Sequence, residues 1–434
     1  MPLREALLWI IVGVLCLGAL IRPRIGLYGY VWFAVLRPDV LSYCQDGRPF
    51  SLALALCTAV SSLRYYQRVP AILSNPIIRG LLALQIPLAL SVVTAVNTNL
   101  AAPAYWAYLR MLLVLSFIPI LIQTEHELKH LLLVIAGSVG LLGSKFGIAG
   151  VAHGGVLWDQ GYGENLWDNN QLGLAFVMAV PLCWYGRTLV QSSWAKWGLL
   201  IAALASMAAV IMTNSRGSSI ALGVALLLMA WHSERKVLTF CVLVLAAAGA
   251  IYMMRATYIN RMMTLRDVTS ERSAASRLDQ ARAAVAIWRD YPLLGVGFGR
   301  KNYSHIVGRY LGSTENHVAH NSYLQMLADS GAFAFILYAG LLLGSVFWLR
   351  AACPRAKRDH PELAGVPAGL LCALGAFIVG SAFYSFGEYD LPYVLLLCAA
   401  AWWALERSME SDVPQPDEDG MEELSEGSPA GQVV

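Results

Sequence analysis

The chain has 434 residues, of which 57% are hydrophobic and 14% charged, and its mean hydropathy is +0.56. Soluble globular proteins run at about 45–50% apolar and about 25% charged. Soluble, disordered, collagen-like and disulfide-scaffold classes are therefore excluded, and an all-α polytopic membrane protein is expected. The net charge of +3 divides unevenly, because residues 407–434 carry eight acids against Arg407 alone. That acidic tail reads as disordered and cytoplasmic. The eight cysteines sit mostly in apolar runs, with no zinc or disulfide spacing.

A membrane helix needs roughly 20 mainly apolar residues. Thirteen segments qualify, some thinly: about 3–21, 25–40, 50–63, 77–96, 104–122, 128–149, 171–189, 197–213, 217–232, 237–254, 331–350, 364–383 and 389–406. The first has no small-residue cleavage site and reads as an anchor. Lys and Arg mark the cytoplasmic turns: Arg22 and Arg24, then Arg64, Arg68 and Arg79, then Lys129, Arg187 with Lys196, Arg235 with Lys236, and Arg350 through Arg358. The facing loops, about 41–49, 97–103, 150–170, 213–217, 255–330 and 384–388, then lie outside. Thirteen crossings put the N-terminus outside, unless one of the first three segments falls short of a full span. The expected domains are a bundle over 1–254, a loop domain over 255–330, C-terminal membrane helices over 331–406 and the tail over 407–434.

The segment 255–330 is too long for an ordinary connector, and holds nine Arg and one Lys against six acids. Residues 273–290 predict a helix ending before Tyr291-Pro292, with Leu278, Ala281, Val285 and Trp288 on one stripe. At about 100° per residue, Arg277 borders that stripe on one side, and Arg282 and Arg289 on the other. Such a helix would lie apolar side down on a membrane. A Gly-rich turn follows at 292–299, and a further helix is expected from His320 onward.

Three constellations can carry chemistry. Arg216, in Thr213-Asn-Ser-Arg-Gly-Ser-Ser219, falls at the outer boundary with Arg277 and Arg282 on the same side. Guanidinium forks grip phosphate, so these arginines suit a diphosphate clamp. The bland alternative is snorkelling, or pairing with Asp279 and Asp290. His320, at a helix start near arginines, is disfavoured as imidazolium and suits a general base; a merely hydrogen-bonded histidine is the alternative, as for His317. The run from Trp158 to Asp168, Asn169 and Asn170 mixes aromatics and amides as sugar recognition does, although Asp and Asn also cap helices. Glu388 and Asp390 suit salt-bridge support of the arginines. No Walker loop, HExxH or CxxC occurs, and the GxGxG at 295–299 lacks the strand–helix context of a dinucleotide site. Phosphate would come from a lipid substrate, and no cofactor, metal, nucleotide or nucleic acid is expected.

These residues resemble the O-antigen ligase and polymerase superfamily of bacterial inner-membrane glycosyltransferases. Ser215-Arg-Gly217 is similar to its outer-turn arginine, and Ser276 through Gly299 to its periplasmic signature. His320-Asn321, nine residues and then Gly331 is similar to the ligase histidine motif. That motif expects Gly, Thr or Tyr three positions after the glycine, and Ala334 stands here, a departure toward the polymerase. The stretch at Asp168 also resembles a ligase-like subgroup linked to exopolysaccharide and protein-glycosylation systems. The likeness spans about 140–400. It implies about 12 transmembrane helices with both termini cytoplasmic and one long, partly helical periplasmic loop. It also implies metal-independent, inverting transfer from an undecaprenyl diphosphate-linked glycan to a sugar hydroxyl of lipid A-core, at a site facing the periplasm. Arg216, Arg277 and His320 would be catalytic, with Arg282, Arg289, Asn321, Asp168, Asn169 and Asn170 binding substrate. A polymerase or a protein O-glycan ligase would use the same donor. A transporter is disfavoured, because its charges would sit at mid-membrane.

Overall fold

The computed structural model describes residues 3–44, 48–152, 169–213, 215–233, scattered positions between 236 and 248, 269–312, 318–385 and 389–411. Every element among them is helical. In chain order they are α1 (Leu3–Ile21), α2 (Pro23–Leu36), α3 (Phe50–Ser62), α4 (Pro76–Val93), α5 (Thr98–Leu115), α6 (Glu125–Ala152), α7 (Asn169–Gly186), α8 (Ser193–Met212) and α9 (Arg216–His232). Then come α10 (Thr269–Asp290), α11 (Arg300–Leu311), α12 (Ser322–Asp359), α13 (Gly365–Ser381) and α14 (Asp390–Ser411).

Among the described residues, eight helical stretches are long and apolar enough to cross a membrane, those of α1, α4, α5, α6, α7, α8, α12 and α13. The predicted segments at 25–40 and 50–63 form helices of only 14 and 13 residues. At ~1.5 Å per residue each reaches ~20 Å, short of a hydrocarbon core of ~30 Å. The centre of the bundle is α7 and α13, whose apolar windows are 78% and 83% buried, whereas α1 is 22% buried and peripheral. A helix apolar on all sides suits that central place, since neither lipid nor protein penalises any of its faces.

The helices alternate between two ends. At one end Arg64 donates to the carbonyls of Leu20 and Ile21, and Arg68 to that of Ile120. Arg24 pairs with Glu127 at 2.5 Å, and Glu125 gathers with His360 and Glu362. At the other end the α4–α5 turn, the starts of α7, α9 and α12, and the turn before α14 are tied to one another. The described turns read from Lys and Arg as cytoplasmic thus share one end, and the described loops read as external share the other; the turn at Arg235 lies outside the described residues. Helix α1 starts at the second of these ends, where Glu5 pairs with Arg48 at 2.9 Å ahead of α3.

Small residues let the central helices approach. Along α6, Gly140 faces Cys183, Gly143 faces Ser206, Gly147 faces the Ala205 carbonyl and Gly150 faces Met212, each too close for a β-carbon. With no hydrophobic driving force between helices in lipid, this close contact holds them together. Gly147→Val should therefore lower stability by about 1–3 kcal/mol, read as a drop in thermal midpoint in detergent. Gly137→Ala, where nothing lies within 4 Å of an added carbon, should not.

Candidate active site

The site end is built around an interruption in α12. At Gly331 φ is +76° and ψ −176°, so the helix breaks after its first nine residues. The break leaves the carbonyls of Ala328 and Asp329 without their usual partners in the next turn. The Gly-rich turn supplies replacements: Val296 N donates to Ala328 O at 3.0 Å and Gly297 N to Asp329 O at 2.9 Å. In exchange, the amide of Ala332 donates to Pro292 O at 2.9 Å. Gly295 and Gly297 have φ of +67° and +118°, and β-carbons at Gly295 or Gly331 would collide with the opposing backbone. The glycines of the 295–299 motif thus serve backbone docking. The α4–α5 turn completes the joint: Val96 N bonds Val296 O, Ser91 Oγ bonds Asp329 O, and Asn97 and Asn302 exchange two hydrogen bonds.

On this joint α10, α11 and the first segment of α12 share a small apolar core of Ala283, Ala284, Ile287, Val296, Tyr303, Ile306, Val307, Ala319 and Ala328. The buried face of α10 is therefore Gln280, Ala283, Ala284 and Ile287, not the predicted stripe. Leu278 is 52% exposed, and Ala281, Val285 and Trp288 are only partly buried. The shift is about 100°, one residue around the helix. Small alanines let α10 lie close against Tyr303 of α11, a partner that the periodicity of α10 alone does not reveal. Its packing face is covered by protein instead of lying on a membrane. Tyr310 Oη donates to Asp290 Oδ2 at 2.5 Å and ties α11 to the end of α10. Burial and the adjacent carboxylate push the Tyr310 hydroxyl up to about 12, so it remains a donor at neutral pH.

Arg216 is exposed at the first position of α9, after the N-cap Ser215. A helix start of this kind aims backbone N–H groups and positive partial charge outward, at any anion that the guanidinium holds. His320 is half-buried and left-handed, with φ +48°, directly before the N-cap of α12. Non-glycine residues adopt that region at a cost, and such residues concentrate at functional sites. Asn321 caps α12, its Oδ1 accepting from the amides of Tyr323 at 2.9 Å and Leu324 at 3.1 Å, so that oxygen is already committed. Asn170 offers its carbonyl to Ser218 Oγ at 3.3 Å, and the neighbouring Asn169 Oδ1 is buried without a hydrogen-bond partner. Asp168, His317 and Glu388 lie outside the described residues. Asp390 is set beside Arg37 and Tyr30 of α2, not with the arginines of the site.

Two residues that sequence reading did not single out join these parts. Tyr384 is buried at 2% exposure and pairs through its hydroxyl with Ser215 Oγ and, at 3.2 Å, with Ser218 Oγ; its carbonyl accepts from Ser322 Oγ at 2.5 Å. Gln325 is buried, donates to both carboxylate oxygens of Asp329, and accepts from Ala319 N at 2.9 Å and Ser385 Oγ at 3.1 Å. The turns of Arg216, His320 and Asn170 are therefore brought together, and α10 adjoins them through Ala319. Arg277, Arg282 and Arg289 are exposed on α10. Arg282 meets Asp279 at 3.3 Å, with both side chains more than half exposed, a pair of small energetic weight. Among the described residues, Arg216, Arg277 and Arg289 have no hydrogen bond or ion pair. An apolar groove of about 420 Å³ lies between α1, α2 and α6, and no residue of α8 or α9 lines it.

These features define a multi-pass α-helical membrane protein whose polar, arginine-bearing site sits at one end of the bundle. Residues 199–339 match the O-antigen ligase family model, and residues 3–185 match a family of unknown function. The match over residues 199–339 supports membership of the O-antigen ligase-type superfamily and a glycosyltransferase role of the ligase or polymerase kind. No curated protein matches it.

Two outcomes follow from the backbone of the site. Gly331→Ala, which adds a β-carbon at positive φ against Leu293, should cost about 1–3 kcal/mol. His320→Gly should be up to about 1 kcal/mol more stable than His320→Ala, because glycine carries no left-handed penalty. Unfolding midpoints of the purified variants check both.

Proposed function

We propose that the protein is an O-antigen ligase. It transfers a glycan from undecaprenyl diphosphate to a sugar hydroxyl of lipid A-core, by an inverting and metal-independent reaction, at the periplasmic face of the inner membrane. The observation that carries the reading is the joining of the Arg216 and His320 turns through Tyr384, with an exposed Arg216 guanidinium that no carboxylate among the described residues neutralises. The O-antigen ligase match over residues 199–339 supports it.

In this mechanism the acceptor oxygen attacks the anomeric carbon as the bond from that carbon to the diphosphate oxygen breaks. The electron pair departs with undecaprenyl diphosphate, and the acceptor proton passes to His320. Arg216 and Arg277 hold the growing negative charge, with the amides at the start of α9 beside them. The backbone amides at that helix start are fixed in direction, and donors already aimed at developing charge stabilise it without reorganising. Arg282 assists from the exposed face of α10, and Arg289 lies farther along that face. Asn169 and Asn170, with Asp168, contact sugar hydroxyls; Asn321 contributes mainly by holding the start of α12. Attack opposite the leaving group inverts the anomeric centre.

Purified protein, lipid-linked glycan and lipid A-core, free of nucleotide, give the direct test on a gel. Arg216→Ala and Arg277→Ala should each lower transfer by about 100-fold or more, and His320→Ala by a similar factor, with normal protein levels. Arg282→Ala should cost only several-fold, and EDTA should change nothing. Full activity of the Arg216 variant would reject the clamp. A polymerase would instead lengthen lipid-linked glycan without acceptor lipid, the reading that Ala334 favours, and a protein ligase would put labelled glycan on protein.

A further inference from the structure

We infer that Tyr384 is a positioning residue, whose hydroxyl fixes the arginine turn of α9 against the histidine turn of α12. The inference rests on the transferase reading above. Each contact of Tyr384 points to this role. Its hydroxyl engages Ser215, which caps α9, and Ser218, one turn into the same helix. Its carbonyl accepts from Ser322, the first residue of α12 and two after His320. Gly217 lies so close to Phe383 and Tyr384 that a β-carbon would clash with both, so the turn cannot slide away from the ring. Ser218 reaches on to Asn170, and Gly173 of α7 closes against Ser218. One buried tyrosine, through its hydroxyl on α9 and its carbonyl on α12, thus sets the spacing of three helix starts that carry the candidate clamp, base and sugar contacts. A displacement of about 1 Å at such a site can cost about 100-fold in rate.

The test is Tyr384→Phe, which keeps the ring and its packing and removes only the hydroxyl. Transfer is measured over a range of lipid-linked donor concentrations, beside hydrogen exchange of the amides at 216–219 and a thermal melt in detergent. Tyr384→Phe should lower kcat 10–100-fold, leave KM for the donor within about twofold, and speed exchange at 216–219 by about 10-fold. Ser215→Ala should lower kcat at least as far, since it also removes the α9 cap, and the double variant should lose less than the product of the two single losses, because the two share one contact. Unchanged kcat, unchanged exchange, or losses that multiply in the double variant would each overturn the assignment. The two readings separate cleanly: inactive wild type, or a fully active Arg216→Ala variant, would reject the transferase mechanism, whereas the exchange result bears on Tyr384 alone.

Discussion

At Gly331 the backbone of α12 leaves the helical region inside a crowded, largely dry end of the bundle, and two carbonyls that a continuous helix would satisfy are turned aside. A buried carbonyl left without a donor costs about 1–3 kcal/mol. The break is therefore tenable only because Val296 and Gly297 bring their amides to it. That exchange needs left-handed glycines on both sides and pulls the loop domain down onto the membrane helices. The placing of α10 and α11, and with them Arg277, follows from this joint.

Around the joint, polar side chains divide into those that hold the structure and those left exposed. Asn321, Ser215, Gln325, Asp329, Asn97 and Asn302 are engaged with backbone or with one another. Arg216 and Arg277 are exposed and have no protein partner among the described residues. A strained His320 next to a satisfied cap fits the same division: the cap anchors α12, and the residue before it bears the unfavourable backbone angle. Buried scaffolding hydrogen bonds and exposed charge thus sit within a few residues of one another. The opposite end has a different economy of charge, because Arg24, Arg64 and Arg68 there bond to helix-end carbonyls and to Glu127 and so close the bundle.

Much of the architecture was legible along the chain. Apolar runs located most of the described helices, and the spacing of Lys and Arg sorted the described turns into two sets that the fold does place at two ends. Arg216 at a polar break and His320 at a helix start were readable because charge and capping are local signals. The orientation of α10 was not readable, since a helix with apolar residues around much of its circumference offers several faces, and the packing of Tyr303 against its alanines selects one. Tyr384 looked like any aromatic near a span end, and the GxGxG run looked like a stray nucleotide motif.

What the sequence by itself determined is the solvent of this protein and the place of its main apolar helices, because the transfer of apolar and charged side chains between water and lipid is decided residue by residue. Tertiary structure alone decided which helix starts meet. The hydrogen bonds that join Ser215, Ser322 and Tyr384 link positions more than sixty and more than one hundred and sixty residues apart, and the energy of a shared contact exists only when both partners arrive.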